Sequence, residues 1–136
     1  RLAAAPLAEG MLDCLDGRHF DCMVPVPLHK KRQRQRGFNQ AALLCLRMGQ
    51  LNGLQTLPAL ERSRNTRRQS SLPHEKRQAN VKDSFRAVLP VRDLSILLVD
   101  DVMTSGATFA AATEALFSAG ARSVSVLSLA RVAKDA

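Results

Sequence analysis

The residues best suited to chemistry lie in one short stretch, where two adjacent acids precede a run of small hydroxyl residues. Asp100 and Asp101 directly follow the apolar run at 95–99, and two residues later the chain reads Thr-Ser-Gly-Ala-Thr at 104–108. Small residues that open a helix present backbone N–H groups and hydroxyls to one point, and the helix dipole adds positive potential there. The stretch therefore predicts an anion-binding turn. The two carboxylates beside it suit sugar hydroxyls, or Mg²⁺ held through water.

The same stretch is also compatible with a helix-capping turn that binds no ligand. Carboxylates and hydroxyls favour helix N-termini even where there is nothing to bind. Other well-known phosphate loops are excluded, because neither G-x-x-x-x-G-K-[ST] nor G-x-G-x-x-G occurs in the chain. The residues alone therefore leave a ligand site and a structural cap as the two interpretations.

A strand before the acids and a helix after them must position this stretch. The run at 95–99 is apolar and β-branched, which is typical of a strand covered on both faces. Residues 108–119 carry apolar side chains at helical spacing, Gly120 stands where a helix C′ glycine belongs, and 123–129 predicts a second strand. Strand, helix and strand in this order predict a right-handed parallel βαβ unit. The expected fold class is α/β, with a mainly parallel sheet flanked by helices.

The rest of the chain predicts shorter elements. The expected helices and turns are an amphipathic helix at 3–16, a helix from Phe38 that ends near Gly49 or Gly53, and a helical turn at 79–85. The expected strands are 22–27, ended by Pro25 and Pro27, then 57–60 and 86–89. The helix after Phe38 is predicted from the pattern of Ala42, Leu43, Leu46 and Arg47, and we expect Phe38 and Phe85 in the core.

Basic residues are concentrated in two stretches of a chain whose net charge is +8. Five of its 20 lysines and arginines lie at 30–36 and six more at 62–77, where Glu75 is the one opposing acid. Such a balance suits nucleic acid, a membrane surface or a polyanionic small molecule. The segment 61–78 has Leu72 as its one large apolar residue, so it predicts a functional or mobile segment rather than core.

Composition sets broader limits on the class of protein. At 136 residues, 46% apolar and 24% charged, the chain predicts one soluble globular domain without a membrane span or secretory leader. The cysteines Cys14, Cys22 and Cys45 form no C-x-x-C pair, so we expect reduced thiols and a cytoplasmic protein. The chain begins with Arg1, and we expect a fragment that lacks an N-terminal segment.

Two resemblances then become visible. The stretch Val-Asp-Asp-Val-Met-Thr-Ser-Gly-Ala-Thr at 99–108 is similar to the signature with which type I phosphoribosyltransferases bind phosphoribosyl diphosphate (PRPP). A more particular resemblance, to the ComF/GntX family, covers nearly the whole chain; it is carried by 24–29, 36–41, 62–69, 77–81 and Phe85. That family is associated with competence and DNA utilisation and is often described as amidophosphoribosyltransferase-like. Its members usually begin with a cysteine-rich, zinc-ribbon-like segment, which does not occur here.

The resemblance implies a PRPP-dependent transferase in which Mg-diphosphate is the leaving group. It implies that the 5′-phosphate binds to Met103, Thr104, Ser105, Gly106, Ala107 and Thr108. Catalytic roles are implied for Asp100, Asp101, Arg64 and Arg68, with the two acids on the ribose hydroxyls. The diphosphate is expected at Leu28, His29, Arg36 and Gly37, and the mobile loop is expected to contribute Arg62, Arg67, Gln69 and Arg77. Mg²⁺ would arrive with PRPP and reach Asp100 and Asp101 through water, with no direct protein ligand.

One departure from related enzymes leaves the acceptor open. Several purine-salvage members place an Asp, which acts as a base toward the purine, where this chain has Thr104, so no such base is assigned. Three hypotheses therefore stand: a transferase with an unidentified acceptor, a non-catalytic PRPP-binding regulator, and a DNA-handling module that uses the basic loops. The chain has no Trp or Tyr, so it offers few aromatic side chains on which the bases of a single strand could stack. Nucleic acid and a homodimer are left open as partners.

Overall fold

The structure is a computed structural model, which describes residues 10–11, 15, 17–28, 34–35, 37–62, 84–103 and 106–131. In chain order its elements are β1 (Cys22–Pro25), α1 (Gln40–Asn52), β2 (Gln55–Thr56), β3 (Leu60–Arg62), β4 (Phe85–Ala87), β5 (Ser95–Met103), α2 (Ala107–Ser118) and β6 (Ser123–Arg131). No helix in the described part of the chain is long and apolar enough to cross a membrane.

The main sheet has four parallel strands in the order β2-β1-β5-β6, and β3 and β4 form a separate antiparallel pair. β1 and β5 are in register from Cys22 opposite Ile96 to Pro25 opposite Val99. Both strands therefore end at the same edge of the sheet, and the segments that follow them start side by side. The prediction of an α/β fold with a mainly parallel sheet is confirmed.

β5 is buried on both faces, as its continuous apolar run predicts. Ile96 and Leu98 lie in one apolar cluster with Phe109 of α2. Leu97 and Val99 lie in a second cluster with residues of α1, among them Leu44 and Met48. Because successive side chains of a strand alternate between faces, α2 covers one side of β5 and α1 covers the other.

Helix α1 begins and ends close to the predicted positions, but the apolar pattern that predicted it is not the buried face. The buried residues are Ala41, Leu44, Cys45 and Met48, whereas Leu46 is 54% exposed. Apolar residues occur on every side of this helix, so periodicity alone does not select the face. Gly49 is required near the C-terminus, because a Cβ there would lie 2.6 Å from the Leu54 carbonyl oxygen.

β5 and β6 are longer than predicted. Pairing continues beyond the apolar run, with Asp100 opposite Ser128 and Met103 opposite Arg131. The acids therefore lie inside the last part of the strand and not after it. Backbone pairing carries the strand into a polar stretch, and an apolar run cannot reveal that extension. α2 ends as predicted, since Gly120 follows the cap residue Ala119 and has a φ of 97°.

The short elements are less well predicted. Of the strand expected at 57–60, only Leu60 is in a strand, since 57–59 connect β2 to β3 and Pro58 has no N–H to donate to a ladder. β4 lies one to two residues before the strand expected at 86–89, and Phe85 belongs to it rather than to a helical turn. Residues 79–83 lie outside the described residues, as does most of 3–16, in which Gly10 and Met11 are helical.

The two phenylalanines expected in the core differ. Phe85 is 6% exposed and packs in the cluster on the α2 side of the sheet, as predicted. Phe38 is 49% exposed, so its expected place in the core is wrong: it precedes α1 in a loop that the core does not cover. Cys22 and Cys45 are both buried free thiols, and Cys14 lies outside the described residues.

Candidate active site

The acid pair and the start of α2 form the centre of the candidate site. Asp100 and Asp101, both half-buried, occupy the last part of β5, and Gly106 immediately precedes α2. Gly106 has a φ of 81°, in the left-handed region that favours glycine. Thr104, Ser105 and the side chain of Met103 lie outside the described residues.

The cap residue of α2 is a glycine, so it has no side chain of its own with which to cap the helix. Gly106 holds that position, and the first turn of α2 contains no acidic residue. The first turn of any helix has N–H groups without intrahelical partners, and its dipole favours an anion. A Cβ on Gly106 would meet no atom within 4 Å, so the glycine is required for its backbone conformation rather than for space.

The two carboxylates are held by the backbone beside them. The Asp101 backbone N–H donates to Asp100 Oδ1 at 2.9 Å, and the Val102 N–H donates to Asp101 Oδ1 at 2.9 Å. Burial raises the pKa of Asp100 to about 7, and the hydrogen bond and negative charge of the Asp101 side chain act in the same direction. The Asp101 N–H and the positive charge of Arg62 oppose that rise in pKa. Asp100 is thus a carboxyl whose ionisation depends on its neighbours.

Arg62 is the predicted loop residue whose positive charge acts on Asp100. It lies at the end of β3, opposite Phe85 of β4, and its guanidinium carbon is 5.0 Å from the centroid of the Phe85 ring. Its place in a strand corrects the prediction that the loop begins at residue 61, because β3 includes both Glu61 and Arg62. Arg64, Arg67, Arg68, Gln69 and Arg77 lie outside the described residues.

The segment predicted to bind diphosphate leaves β1 next to the acid pair. The Val26 N–H donates to the Val99 carbonyl oxygen at 2.9 Å, one residue before Asp100. Leu28 is half-buried, and Gly37 is exposed with a φ of 78°. His29 and Arg36, the other two residues predicted here, lie outside the described residues.

Asn39 fixes the far end of that segment. Its Oδ1 accepts from the Ala41 N–H at 3.0 Å, and its Nδ2 donates to the Val26 carbonyl oxygen at 3.1 Å. One side chain thus caps α1 and joins the helix start to the chain leaving β1. The sequence carried no signal for the bond of Asn39 to Val26 or for the stacking of Arg62 on Phe85.

No group of three or more His, Cys, Asp or Glu side chains that could hold a metal ion occurs among the residues that the structure describes. A groove of about 360 Å³ lies elsewhere, between β4 and the later turns of α2. Its lining includes Phe85, Arg86 and Glu114 but neither of the acids. It is therefore separate from the site at the carboxyl end of β5.

Comparison with known proteins agrees with this geometry. A family model described as the phosphoribosyl transferase domain matches residues 50–136, which include the acids, Gly106 and α2. The chain belongs to the phosphoribosyltransferase family. Curated relatives place it in the ComF branch of the type I fold. The DNA utilization protein YhgH of Escherichia coli K12 is 39% identical over 112 residues, and competence protein ComFC of Bacillus subtilis is 35% identical over 117.

The chain spans about half the length of these curated relatives. The matches cover 82% of the chain and 49% of YhgH, and 84% of the chain and 45% of ComFC. Among solved structures, an allosteric regulatory enzyme of purine biosynthesis superposes with a TM-score of 0.63 at 21% identity, covering 93% of this chain and 25% of that one. An adenine phosphoribosyltransferase of Thermoanaerobacter pseudethanolicus gives 0.55 at 16%, covering 96% and 81%. These structures establish the fold.

Proposed function

We propose that this chain binds PRPP and transfers its phosphoribosyl group to an acceptor, displacing diphosphate. The observation that carries the proposal is the position of two half-buried carboxylates at the end of β5, next to a start of α2 at which the cap residue is a glycine in left-handed backbone. Carboxylates suit the hydroxyls of a ribose, and the helix start suits its phosphate. Membership of the phosphoribosyltransferase family supports the assignment.

Each part of the substrate then has a set of residues. Asp100 and Asp101 accept hydrogen bonds from the ribose 2′- and 3′-hydroxyls, and the turn at 103–108 receives the 5′-phosphate. The segment leaving β1 meets the diphosphate through Leu28, His29, Arg36 and Gly37. Arg64 and Arg68 supply positive charge to the leaving group, with Arg62, Arg67, Gln69 and Arg77 as further members of the same basic region.

The donor set fits magnesium that arrives with the substrate. Mg²⁺ prefers oxygen ligands, keeps several waters, and binds through one or two carboxylates together with substrate phosphates. The adjacent carboxylates of Asp100 and Asp101, in the last part of β5, supply oxygen atoms of that kind. Asp100 and Asp101 would orient the ion through water, and the ion would neutralise charge on the diphosphate.

The chemistry requires charge stabilisation more than covalent help from the protein. The bond between ribose C1 and the diphosphate oxygen breaks, and a nucleophile on the acceptor forms the new bond to C1 and releases its proton. Positive charge develops on the sugar and negative charge on the diphosphate. Carboxylates beneath the ribose and arginines beside the diphosphate stabilise both, and exclusion of water prevents hydrolysis.

Binding of DNA is a second candidate function, and the names of the relatives favour it. Two of them are a DNA utilization protein and a competence protein, and the basic stretches at 30–36 and 62–77 suit a phosphodiester backbone. In a third candidate function the chain binds PRPP as a regulator and does not turn it over. The three differ in what they bind and in whether diphosphate is released.

A screen for diphosphate release tests the proposal directly. The chain is incubated with Mg-PRPP together with one acceptor at a time, drawn from nucleobases, amines and ammonia. Binding of PRPP and of ribose 5-phosphate is measured separately by calorimetry. Acceptor-dependent release supports the transferase, and binding without release for any acceptor supports the regulator. If neither PRPP nor ribose 5-phosphate binds, the proposal is wrong.

Variants in the basic region at 62–77 distinguish the transferase hypothesis from the DNA-binding hypothesis. Replacing Arg64 and Arg68 with Ala should lower turnover more than PRPP affinity, because these residues act mainly on the leaving group. A matched control is Arg92→Ala with Arg122→Ala, since both side chains are exposed near the opposite end of β6. Weaker DNA binding with a flatter salt dependence, and no change in turnover, would favour the DNA module.

A further inference from the structure

Arg62 and Phe85 form a stacked pair on the small β3–β4 sheet. The two residues are opposite each other in the antiparallel pairing, and the guanidinium lies over the ring at 5.0 Å from its centroid. Phe85 is 6% exposed, so packing in the core holds its ring in place. An arginine stacked on a fixed aromatic ring loses much of its conformational freedom.

The core places this stacked pair on the same face of β5 as Asp100. Leu60 and Phe85 lie in one cluster with Ile96 and Leu98 of β5. Side chains of a strand alternate between faces, so Asp100 continues the row of Ile96 and Leu98 toward β3 and β4. The positive charge of Arg62 acts on Asp100 and lowers its pKa, which agrees with that placement.

We propose that Arg62, held against the Phe85 ring, is a positioning residue that orients the Asp100 carboxylate toward the ribose hydroxyls. The inference rests on the function proposed above and adds to it a residue that acts through Asp100 rather than on the diphosphate. A fixed carboxylate binds a hydroxyl better than a mobile one, because less freedom is lost when the bond forms. Arg62 therefore contributes to the recognition of any ligand that carries the ribose.

Arg86 provides a matched control on the same pair of strands. It lies in β4 beside Phe85 and is exposed, and its Nη2 is 3.2 Å from Glu61 Oε2. Its side chain lines the groove between β4 and α2, whose lining does not include Asp100 or Asp101. Arg86→Gln and Arg62→Gln thus remove the same charge from the same small sheet, on two different sides.

The test is a double-mutant cycle on ribose 5-phosphate affinity, measured by calorimetry in EDTA so that no metal takes part. Arg62→Gln should weaken binding about tenfold, which corresponds to about 1.4 kcal/mol. Arg62→Lys should restore part of the loss, and Arg86→Gln should have no effect. In an Asp100→Asn background, Arg62→Gln should cost little more, because the residue acts through that carboxylate.

Two results would overturn the proposal. If the losses from Arg62→Gln and Asp100→Asn multiply, Arg62 acts independently of Asp100. If Arg62→Gln weakens PRPP binding but leaves ribose 5-phosphate unchanged, the arginine is a diphosphate ligand.

The proposed function can fail separately from this inference, since the wild-type chain would then bind neither ligand. The Arg62–Asp100 coupling would still be measurable as non-additive shifts in the urea midpoints of the same four proteins. Additive midpoints would refute the coupling in the ligand-free chain. Phe85→Leu, which keeps an apolar core residue but removes the ring, should reduce the coupling in both measurements.

Discussion

Two connections from strand to helix lie at the same edge of the sheet, and their helix starts are built differently. At α1, Asn39 accepts from the Ala41 N–H and donates to the Val26 carbonyl, so its own side chain satisfies backbone groups on both sides. At α2, the cap residue is Gly106, which has no side chain of its own to cap the helix. The comparison teaches that the cap residue of the first connection supplies its own capping side chain, whereas the glycine at the second leaves room beside the helix start, where the helix dipole favours an anion.

The largest effect is expected at the acids beside the second connection. Asp100→Asn with Asp101→Asn should weaken Mg-PRPP binding more than tenfold, because each hydrogen bond to a charged acceptor contributes about 1.5–3 kcal/mol. Thermal shifts with and without Mg-PRPP measure the change. Asp21→Asn is the control, since Asp21 accepts from the Ser95 N–H at the other end of β5. A double variant that retains the full ligand-induced shift would show that the two acids do not bind the ligand.

The next effect separates two of the glycines that adopt left-handed backbone at the ends of helices, Gly106 and Gly53. Gly106 and Gly53 have φ of 81° and 77°, and a Cβ on either meets no atom within 4 Å. Alanine should therefore cost roughly 1–2 kcal/mol of unfolding free energy at both positions. Gly106→Ala alone should also weaken ribose 5-phosphate binding, by about tenfold. Equal affinities in the two variants, measured by calorimetry, would remove Gly106 from the site.

Loss of the cap at the first connection should affect stability alone. Asn39→Ala removes a side-chain cap and should lower the free energy of unfolding by about 1 kcal/mol, measured in urea. Asn39→Asp keeps the oxygen that caps α1 but loses the donor to Val26, so its free energy of unfolding should lie between those of wild type and Asn39→Ala. Ribose 5-phosphate affinity should stay unchanged in both variants. A loss of affinity as large as that of Gly106→Ala would contradict the distinction between the connections.

The last effect concerns pH. The pKa of Asp100 is raised from 3.8 to about 7 on folding, so the folded state binds this proton more tightly than the unfolded state. Below about pH 4 the carboxyl of Asp100 is protonated in both states and its burial costs no stability. As the pH rises to about 7, the unfolded state ionises first and the free energy of unfolding falls progressively. Thermal midpoints of wild type and Asp100→Asn should agree below about pH 4, diverge as the pH rises to about 7 and stay apart above it, with the variant more stable. A constant difference across that range would refute the shift.

The elements around the second connection could be predicted because they are signalled locally. The apolar run of β5, the helical spacing of α2 and Gly120 each depend on a few neighbouring residues. The buried face of α1 could not be predicted, since Leu44 and Leu46 are equally apolar and only packing against β5 distinguishes them. The approach of Arg62 to Asp100 depends on how two sheets pack, which no local pattern encodes. The roles of Arg64 and Arg68 remain predictions from resemblance.

The most direct test of the difference between the two helix starts is a titration with ribose 5-phosphate followed by backbone amide chemical shifts. We predict large changes for Gly106, Ala107 and Thr108, and none beyond background for Gln40 and Ala41 at the capped start of α1. Changes at α1 without changes at α2, or no saturable changes at either helix, would contradict the account.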